Sequence, residues 1–423
     1  MILPRLAMWI ISNTPTSDGR HGRVIYNTKP TAGASLRWFD KTYDENALWF
    51  FDLVIQDGKE YYKIRNYHTG LYFSSTSNGD KDGKTSNAHE NEATLYEVIP
   101  FYQDDSYMIV QKGGNPIFID NNIHAFVITR NDKTFAGGST FKLVVATQDD
   151  FAKIAQKKAD EATYKQVWAD DFDVDGRPDP TKWDYEHGFV RNGEMEWYQP
   201  ENAYVANGSL IIEGRKEKDL PNPWYDPNEQ SDYRKKRKWI NYTSSSVITD
   251  GKADWLYGRF SVKGKIPVSG GSWPAIWFLG HANVTGEWPL TGEVDLLEYY
   301  TDKTLANLCW GWGEWATRTT PYSDYWKAKD PFWSEKWHVW RMDWDEEAIK
   351  LFLDDEMQNC VLLSRTLNPG QSPVHNPFKA PQFLILNLAL GATGGQIDDR
   401  DFPRRYYVDY VHVEQMAKHR KEA

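Results

Sequence analysis

The sequence predicts an all-β chain in two parts joined by a short helix, and three observations support this prediction. The chain has 423 residues, which is more than a single β-sandwich requires. Short runs of alternating apolar and polar residues recur along it, separated by turns rich in Gly, Asn and Asp. Between the two parts, apolar side chains follow a helical period at positions 151, 154, 155, 159 and 162. We therefore expect a linker helix over 148–166, with Asp149 or Asp150 capping its first turn.

Residues 1–147 contain an internal repeat. Three units of about 45 residues each open on one strand and close on an alternating apolar strand. The opening strands are expected at 9–12, 62–66 and 107–111, and the closing strands at 48–54, 94–99 and 140–145. The pattern resembles a β-trefoil of the ricin-B or fascin-like kind, a group whose members often bind sugars. The resemblance implies a carbohydrate-binding module, and a structural spacer is the alternative.

The segment 291–300 carries three carboxylates in an otherwise apolar run. Alternate side chains of a β-strand point to opposite faces, so Glu293 and Asp295 share one face and Glu298 would point to the other. One extra residue, in a β-bulge at 296–297, corrects the parity and brings Glu298 onto the face of Glu293. The sequence therefore predicts three acids in a row on one face of a strand.

Such a row suits glycoside hydrolysis. Retaining enzymes need a carboxylate nucleophile and a carboxylic acid about 5 Å apart on either side of the scissile bond. The middle carboxyl, Asp295, can share a proton with the nucleophile, while crowding of like charges raises the pKa of one neighbour. An exposed acidic strand edge or a calcium site is the alternative. The flanking Leu, Val and Tyr indicate instead a buried strand, in which unpaired acids are costly.

The acidic segment resembles the signature of glycoside hydrolase family 16, the laminarinase, agarase and mixed-linkage glucanase group. Its Glu-x-Asp-x-x-Glu pattern matches Glu293, Asp295 and Glu298, and further family stretches recur in order at 168–172, 182–183, 192–198, 207–213, 242–244, 257–259, 273–277 and 337–338. The resemblance implies a concanavalin-A-like β-jelly-roll sandwich over 167–416, followed by a charged tail at 417–423. It also implies net retention, with Glu293 as nucleophile, Glu298 as acid/base and Asp295 as their assistant.

The same resemblance suggests which residues contact the sugar. The chain contains 20 Trp, 24 Tyr and 19 Phe, and flat rings match the apolar faces of sugars, although most of these rings must build the core. Trp310 or a near neighbour stands where laminarinase-like members usually carry a His. The resemblance implies no cofactor for catalysis and a structural calcium at Asp409. The expected substrate-binding residues are Glu194, Arg259, Trp273, Trp277, Trp288 and Trp310.

Departures from the laminarinase pattern affect the substrate more than the reaction. Besides the missing His, the stretch 387–395 lacks the terminal Trp of the pattern, and Glu196 stands where the family commonly has Gln. The first expectation is an endo-glycanase that cleaves internal linkages of a laminarin-type β-1,3(4)-glucan. An endo-β-galactosidase acting on host O-glycans, poly-N-acetyllactosamine, porphyran or agar is the alternative. An inactive carbohydrate-binding lectin is the alternative from another class, and transglycosylation stays open beside hydrolysis.

Other function classes have little support. No Gly-rich phosphate loop lies between a strand and a helix, and Cys309 and Cys360 lack the second pair of a zinc cluster. The run 234–238 is basic, but a net charge of -11 opposes binding of nucleic acid. No apolar stretch is long enough to cross a membrane, and 1–11 lacks the basic leader of a signal peptide.

We expect a monomer whose partner is a polysaccharide or oligosaccharide substrate. We also expect it to be secreted, periplasmic or at the cell surface, because large glycans stay outside the cell.

Overall fold

The computed structural model describes residues 3–13, 22–76, 83–101, 105–119, 125–130, 137–370 and 375–420. The chain divides into two compact units. Unit 1 comprises Met1–Thr163 and Asp355–Leu362, and unit 2 comprises Tyr164–Asp354 and Leu363–Ala423. Strands predominate in both units, which confirms the all-β prediction. Within the described ranges, no helix combines the length and the apolar character that crossing a membrane requires.

In the residues that the structure describes, unit 1 consists of short strands, three 3-10 turns and one α-helix, α1 (Gln148–Glu161). Twelve strands come from its first segment, and one more, β28 (Glu356–Leu362), comes from its second segment. The twelve are β1 (Met8–Ser12), β2 (Arg23–Asn27), β3 (Leu36–Asp40), β4 (Leu48–Gln56), β5 (Lys59–Asn66), β6 (Tyr72–Ser75), β7 (Gly83–Ala88), β8 (Tyr96–Phe101), β9 (Ser106–Gln111), β10 (Ile117–Ile119), β11 (Val127–Thr129) and β12 (Phe141–Val145).

Six strands of unit 1 form a closed ring of antiparallel pairs. Around the ring, β1 pairs with β4, β4 with β5, β5 with β8, β8 with β9, β9 with β12, and β12 with β1. The other strands of the first segment form the hairpins β2-β3, β6-β7 and β10-β11. Each third of the segment therefore contributes two strands to the ring and one hairpin. Ile10, Ile64 and Ile109, at equivalent places in the three thirds, are fully buried.

Helix α1 lies where the apolar periodicity predicts a helix. It begins in a capping box, in which the Thr147 hydroxyl accepts the Asp150 backbone N–H at 3.2 Å and the Asp150 carboxylate accepts the Thr147 N–H at 2.8 Å. The N-cap is thus Thr147, while Asp150 is its reciprocal partner. Ile154 is buried and the Phe151 ring lies 5.7 Å from that of Tyr67, so the helix packs on its own unit and is held more firmly than a flexible tether.

Unit 2 contains two sheets. Three short helices accompany them, α2 (Tyr233–Lys236), α3 (Ala282–Thr285) and α4 (Lys327–Lys329). Its strands are β13 (Lys165–Asp170), β14 (Asp184–Tyr185), β15 (Glu196–Tyr198), β16 (Ala203–Val205), β17 (Leu210–Pro221), β18 (Trp239–Ser244), β19 (Ser246–Ile248), β20 (Gly258–Lys265), β21 (Ser272–Gly280), β22 (Glu293–Tyr300), β23 (Lys303–Trp310), β24 (Glu314–Trp315), β25 (Arg318–Pro321), β26 (His338–Trp344), β27 (Ala348–Leu353), β29 (Gln382–Leu390) and β30 (Arg404–Gln415).

The two sheets of unit 2 enclose an apolar core between them. One includes the order β15-β18-β17-β30-β20-β26-β27, with β13 on β30 and β16 on β17. The other, here called the cleft sheet, has the order β14-β19-β29-β21-β22-β23-β24, with β25 on β23. Phe260 of β20 contacts Phe278 of β21 edge to face, with centroids 5.0 Å apart. This packing leaves the opposite face of β21 and β22 available for polar groups.

Candidate active site

A β-bulge on β22 aligns the three acids, as the strand parity predicts. Glu298 pairs with Ala275 on β21, whereas Asp295 pairs with Trp277, so three residues of β21 lie opposite four of β22. The same irregularity interrupts pairing with β23, between Asp295 and Glu298. Val294, Leu296 and Leu297 are buried, which anchors the strand in the core. The bulge prediction is confirmed, and the three carboxyl groups open into one cleft.

The cleft has a volume of about 630 Å³ and crosses the strands of the cleft sheet. Of the residues predicted to contact sugar, the structure places Glu194, Trp273, Trp277 and Trp288 in its lining together with the three acids. The remaining lining residues are Arg191, Asn192, Ala275, Leu279, Tyr300, Asn307, Trp315, Thr317, Asn387 and Thr393. Aromatic walls above a polar floor are the usual composition of a carbohydrate site, because sugars have apolar faces and polar edges.

The first acid, Glu293, accepts a hydrogen bond from the indole of Trp288. Trp288 Nε1 lies 2.5 Å from Glu293 Oε2. Burial raises the pKa of Glu293, while the Trp288 and Asp295 hydrogen bonds and the charge of Arg191 oppose that rise. These three neighbours therefore favour the ionised carboxylate at Glu293.

The middle acid, Asp295, is buried between two glutamates that each affect its pKa. Its side chain is buried, and burial, followed by the charges of Glu298 and Glu293, raises the pKa of Asp295 well above its usual range. The hydrogen bond between Asp295 and Glu293 raises the pKa of Asp295 and lowers that of Glu293. These effects favour a protonated Asp295 beside an ionised Glu293.

The third acid, Glu298, is held by two donors from neighbouring strands. Trp273 Nε1 lies 2.8 Å from its Oε1, and Asn307 Nδ2 lies 2.9 Å from its Oε2. Burial is the main cause that raises the pKa of Glu298 to about 7, with the charge of Glu293 adding to it and the two donors opposing it. Near neutral pH one face of the strand therefore presents an acid able to give up a proton beside a carboxylate able to attack carbon.

A hydrogen-bond chain orients Trp277 in the lining of the cleft. Trp277 donates its indole N–H to Asn387 at 2.8 Å, and Asn387 donates from Nδ2 to the Tyr198 hydroxyl at 2.9 Å. The Tyr198 hydroxyl donates in turn to Glu194 at 3.5 Å, and Asn192 donates to the same carboxylate at 3.2 Å. Glu194 is thus a buried acceptor whose remaining capacity faces the cleft.

Arg259 does not lie in the cleft, which corrects the prediction for this residue. It is on β20, in the other sheet, where Nε and Nη2 contact the Asp343 carboxylate at 2.7 and 3.1 Å. Its guanidinium also lies 4.5 Å from the ring centre of Tyr164. Burial raises the pKa of Asp343, but the charges of Arg341 and Arg259 outweigh burial and lower it to about 2. Arg259 therefore serves the stability of that sheet.

Trp310 also points away from the cleft. Cys309 pairs with Glu293 and so shares its face, which turns the next residue, Trp310, to the opposite face, where it is buried. The neighbour that reaches the acids from β23 is Asn307, which pairs with Asp295 and binds Glu298. Laminarinase-like members usually carry a His on this strand. In this chain Asn307 is the residue of the strand that faces the cleft.

The surroundings of Asp409 do not fit a calcium ion. Its carboxylate contacts the Lys263 ammonium at 2.7 Å, a cation that would repel a second one. In the described ranges there is no group of three or more His, Cys, Asp or Glu side chains that could hold a metal ion.

Several lining residues were missed by reasoning from the sequence. Asn192 and Asn387 lie inside stretches that match the family pattern, so the pattern was the signal that could have revealed them. Asn307 could have been found only from the strand register. Trp315 follows a turn with glycines at 311 and 313 and has no family pattern to mark it.

Comparisons with proteins of known sequence agree with this geometry. The sequence profile of Glycosyl hydrolases family 16 matches residues 194–419. A beta-glucanase from Rhodothermus marinus is 35% identical over 282 residues, which cover 62% of this chain and 88% of that protein. A keratan-sulfate endo-1,4-beta-galactosidase from Sphingobacterium multivorum is 26% identical over 265 residues, which cover 59% of this chain and 55% of that protein.

Solved structures are similar over the same region. A structure from work on endo-acting O-glycanases, which members of the human gut microbiota express to initiate mucin breakdown, has a TM-score of 0.54 at 31% identity and covers 61% of this chain and 92% of that chain. The laminarinase from Rhodothermus marinus has a TM-score of 0.50 at 33% identity and covers 60% of this chain and 98% of that chain. Because the family profile spans more than half of the residues and contains the acidic row, the chain belongs to glycosyl hydrolases family 16 and is a glycoside hydrolase.

Proposed function

We propose that this chain is a retaining endo-glycosidase in which Glu293 is the nucleophile, Glu298 the acid/base and Asp295 their assistant. The observation that carries the proposal is the difference between the two glutamates on one strand face. Burial raises the pKa of both, but Glu293 receives hydrogen bonds from Trp288 and Asp295 that favour its ionised form, whereas the pKa of Glu298 reaches about 7. Paired acids with divergent environments are the arrangement that acid-assisted displacement requires.

The chemistry proceeds in two displacements. The Glu293 carboxylate attacks the anomeric carbon, the bond to the leaving oxygen breaks, and the Glu298 proton moves to that oxygen. Glu298, now ionised, then removes a proton from water, whose oxygen attacks the same carbon and releases Glu293. Loss of the charge on Glu293 in the glycosyl ester weakens the hydrogen bond that it accepts from Asp295, and return of the charge strengthens that bond again. A sugar hydroxyl in place of water would give transglycosylation.

The first candidate substrate is a β-1,3(4)-glucan, cleaved at internal linkages. The support is the identity with the beta-glucanase and the laminarinase of Rhodothermus marinus over most of their lengths. The cleft crosses several strands of the cleft sheet and has both Glu194 and Trp315 in its lining, which suits a glycan bound in its middle and supports an endo mode.

The second candidate is an endo-β-galactosidase that acts on galactose-containing glycans such as O-glycans. The observation that favours it is Asn307, a short amide beside Glu298 on the strand where laminarinase-like members usually carry a His. The similarities to the O-glycanase structure and to the keratan-sulfate endo-galactosidase point the same way. An amide both donates and accepts, so it can accommodate a hydroxyl in a different orientation from the one an imidazole selects.

For residues 1–147 we propose a β-trefoil that binds carbohydrate, followed by a linker at 148–166 and a catalytic jelly roll over 167–416. The six-stranded ring with three hairpins supports the trefoil. Binding there would raise the local concentration of glycan at the catalytic unit. Because such glycans stay outside the cell, we further propose an exported, monomeric enzyme.

A product screen tests the catalytic proposal. Wild type, Glu293→Ala and the control Glu335→Ala, which changes an exposed acid on a short turn, are incubated with laminarin, lichenan, agarose, porphyran and mucin O-glycans. Oligosaccharides released from one glycan by wild type and the control, but not by Glu293→Ala, support the proposal and identify the substrate. Full activity of Glu293→Ala would contradict the assigned nucleophile. Binding without cleavage by all three proteins would favour a lectin.

A further inference from the structure

Three tryptophans stand exposed around one end of the cleft. The exposed fractions are 55% for Trp288, 42% for Trp315 and 72% for Trp312, although indoles are usually buried. Trp288 and Trp315 line the cleft, and Trp312 lies in the turn that precedes Trp315. A cluster of exposed rings beside a binding cleft marks a surface for a ligand.

Trp315 continues the row of the nucleophile across the sheet. Glu293 pairs with Cys309 on β23, and Cys309 pairs with Trp315 on β24. Because adjacent strands are about 4.8 Å apart, Trp315 lies roughly 10 Å across the sheet from Glu293. A glycan that passes over Glu293 along the cleft therefore reaches Trp315 with sugar units beyond the one attacked.

Trp312 is held in its exposed position by its neighbours. Its backbone N–H donates to the Glu314 carboxylate at 2.7 Å. One edge of its ring lies so close to Gly370 that a Cβ there would come within 2.7 Å of Trp312 Cζ2. A side chain larger than hydrogen at 370 would displace the ring. The indole is thus pre-oriented with most of its surface toward solvent, which lowers the entropic cost of binding.

One buried amide ties the two aromatic loops together. Asn368 is fully buried, its Oδ1 accepts the Gly311 N–H at 2.9 Å, and its Nδ2 donates to the Leu290 carbonyl at 2.8 Å. Gly311 begins the turn that carries Trp312, and Leu290 lies in the loop that carries Trp288. Asn368 therefore sets the spacing of the rings as a unit, independently of the acids.

We propose that Trp312 and Trp315 extend the cleft from Trp288 as an aromatic platform that binds further sugar units of the same glycan beyond the cleaved linkage. This inference rests on the proposed function and adds a length requirement to it. The occupant is an uncharged stretch of pyranose rings, because the exposed parts are flat ring faces. Because of the platform, the enzyme cleaves long glycan chains in preference to short oligosaccharides.

The test compares substrates of increasing length. Trp312→Ala, Trp312→Phe and wild type are assayed on short and long laminari-oligosaccharides, or on the matching series if the screen identifies a galactose-containing glycan. Trp337→Ala is the matched control, because Trp337 is an exposed Trp just before β26, in the other sheet, with the Lys265 ammonium 4.4 Å from its ring centre. We expect kcat/KM of Trp312→Ala on the longest substrate to fall about tenfold, or about 1.4 kcal/mol, more than on the shortest. Trp312→Phe, which keeps a flat ring, restores most of the loss, and the control matches wild type.

Direct binding separates this inference from the catalytic proposal. In the Glu293→Ala background, calorimetry measures affinity for short and long oligosaccharides with and without Trp312→Ala. A loss confined to long chains supports the platform. An unchanged dependence on length, in kinetics and in binding, would overturn it even if Glu293→Ala is inactive. Retained hydrolysis by Glu293→Ala would instead overturn the assigned nucleophile and leave the length dependence to be judged by binding.

Discussion

Asn307 donates a hydrogen bond of 2.9 Å from Nδ2 to Oε2 of Glu298, and its own oxygen accepts the backbone N–H of Arg318 at 3.3 Å. The second bond determines which end of the amide faces the acid. Asn307 therefore presents a fixed N–H donor, which stabilises the ionised form of Glu298 and lowers its pKa against the effect of burial.

Replacing Asn307 by Ala should move the alkaline limb of the pH profile upward. Without the donor, burial acts on Glu298 with less opposition, so its pKa rises and the acid stays protonated to higher pH. We also expect kcat at neutral pH to fall up to about tenfold, because one hydrogen bond that orients the acid is lost. The measurement is kcat/KM against pH. An unchanged limb would mean that Asn307 does not tune Glu298.

For the wild type, we expect activity to fall as the pH rises above about 7. The group responsible is the proposed acid, Glu298, which would have to be protonated to assist the leaving group and has its pKa raised to about 7 by burial. At low pH we expect activity to fall as well, because protonation of Glu293 removes the charge with which it attacks. A profile of kcat/KM that stays flat from pH 6 to 9 would contradict Glu298 as the acid.

Glu298→Gln should discriminate between good and poor leaving groups. The amide cannot protonate the leaving oxygen, so natural oligosaccharides should lose about 10²-fold or more in kcat/KM. Aryl glycosides with an acidic phenol need little protonation, and their first step should suffer much less. Rates for a series of substituted phenols give the comparison. Equal losses across the series would indicate that Glu298 acts in some other way.

Glu196→Gln should preserve the fold and stabilise it progressively as the pH rises. Glu196 is buried, accepts the Leu390 N–H at 2.7 Å, and has its pKa raised well above normal by burial and then by Glu194. Because the folded-state pKa exceeds the unfolded one, stability present below the unfolded pKa of 4.5 is lost as the pH rises. Gln lacks this titration. Urea unfolding at acidic and at alkaline pH measures the free energy of unfolding of both proteins. A variant that becomes less stable than wild type as the pH rises would refute the prediction.

Glu356→Ala should destabilise unit 1. Glu356 on β28 contacts Arg37 on β3 at 3.7 Å, and both side chains are buried. Removing one partner leaves a buried charge, at a cost of about 3 kcal/mol. Denaturant unfolding of the full chain tests this, with Glu335→Ala as an exposed control. A change below about 0.5 kcal/mol would show that the pair is replaced by other contacts.

The acidic row could be predicted from the sequence because the alignment of its side chains depends only on residues of one strand. Strand parity and one bulge suffice to bring Glu293, Asp295 and Glu298 to one face, and no knowledge of the partner strands is needed. The helix was predictable for the same reason, since its period lies within α1 itself.

Arg259 and Trp310 were misplaced because their positions depend on distant pairing. The face of Trp310 follows from the register of Cys309 against Glu293, and the role of Arg259 follows from Asp343, 84 residues further along the chain. Neither relationship has a local signature. Asn307 escaped prediction for the same reason, because an Asn on a strand becomes informative only when its neighbour across the sheet is known to be an acid.

Unit 1 is interrupted in sequence, since β28 comes from Asp355–Leu362 while the rest ends at Thr163. On this strand the Met357 N–H donates to the Thr28 carbonyl at 3.1 Å and the Leu362 N–H to the Asp40 carboxylate at 3.2 Å. Domains usually fold in the order in which the ribosome delivers them. Here the part of the chain that is translated first cannot finish folding until residue 362 has left the ribosome. A gene truncated after α1 would consequently yield a fragment that lacks one of its own strands.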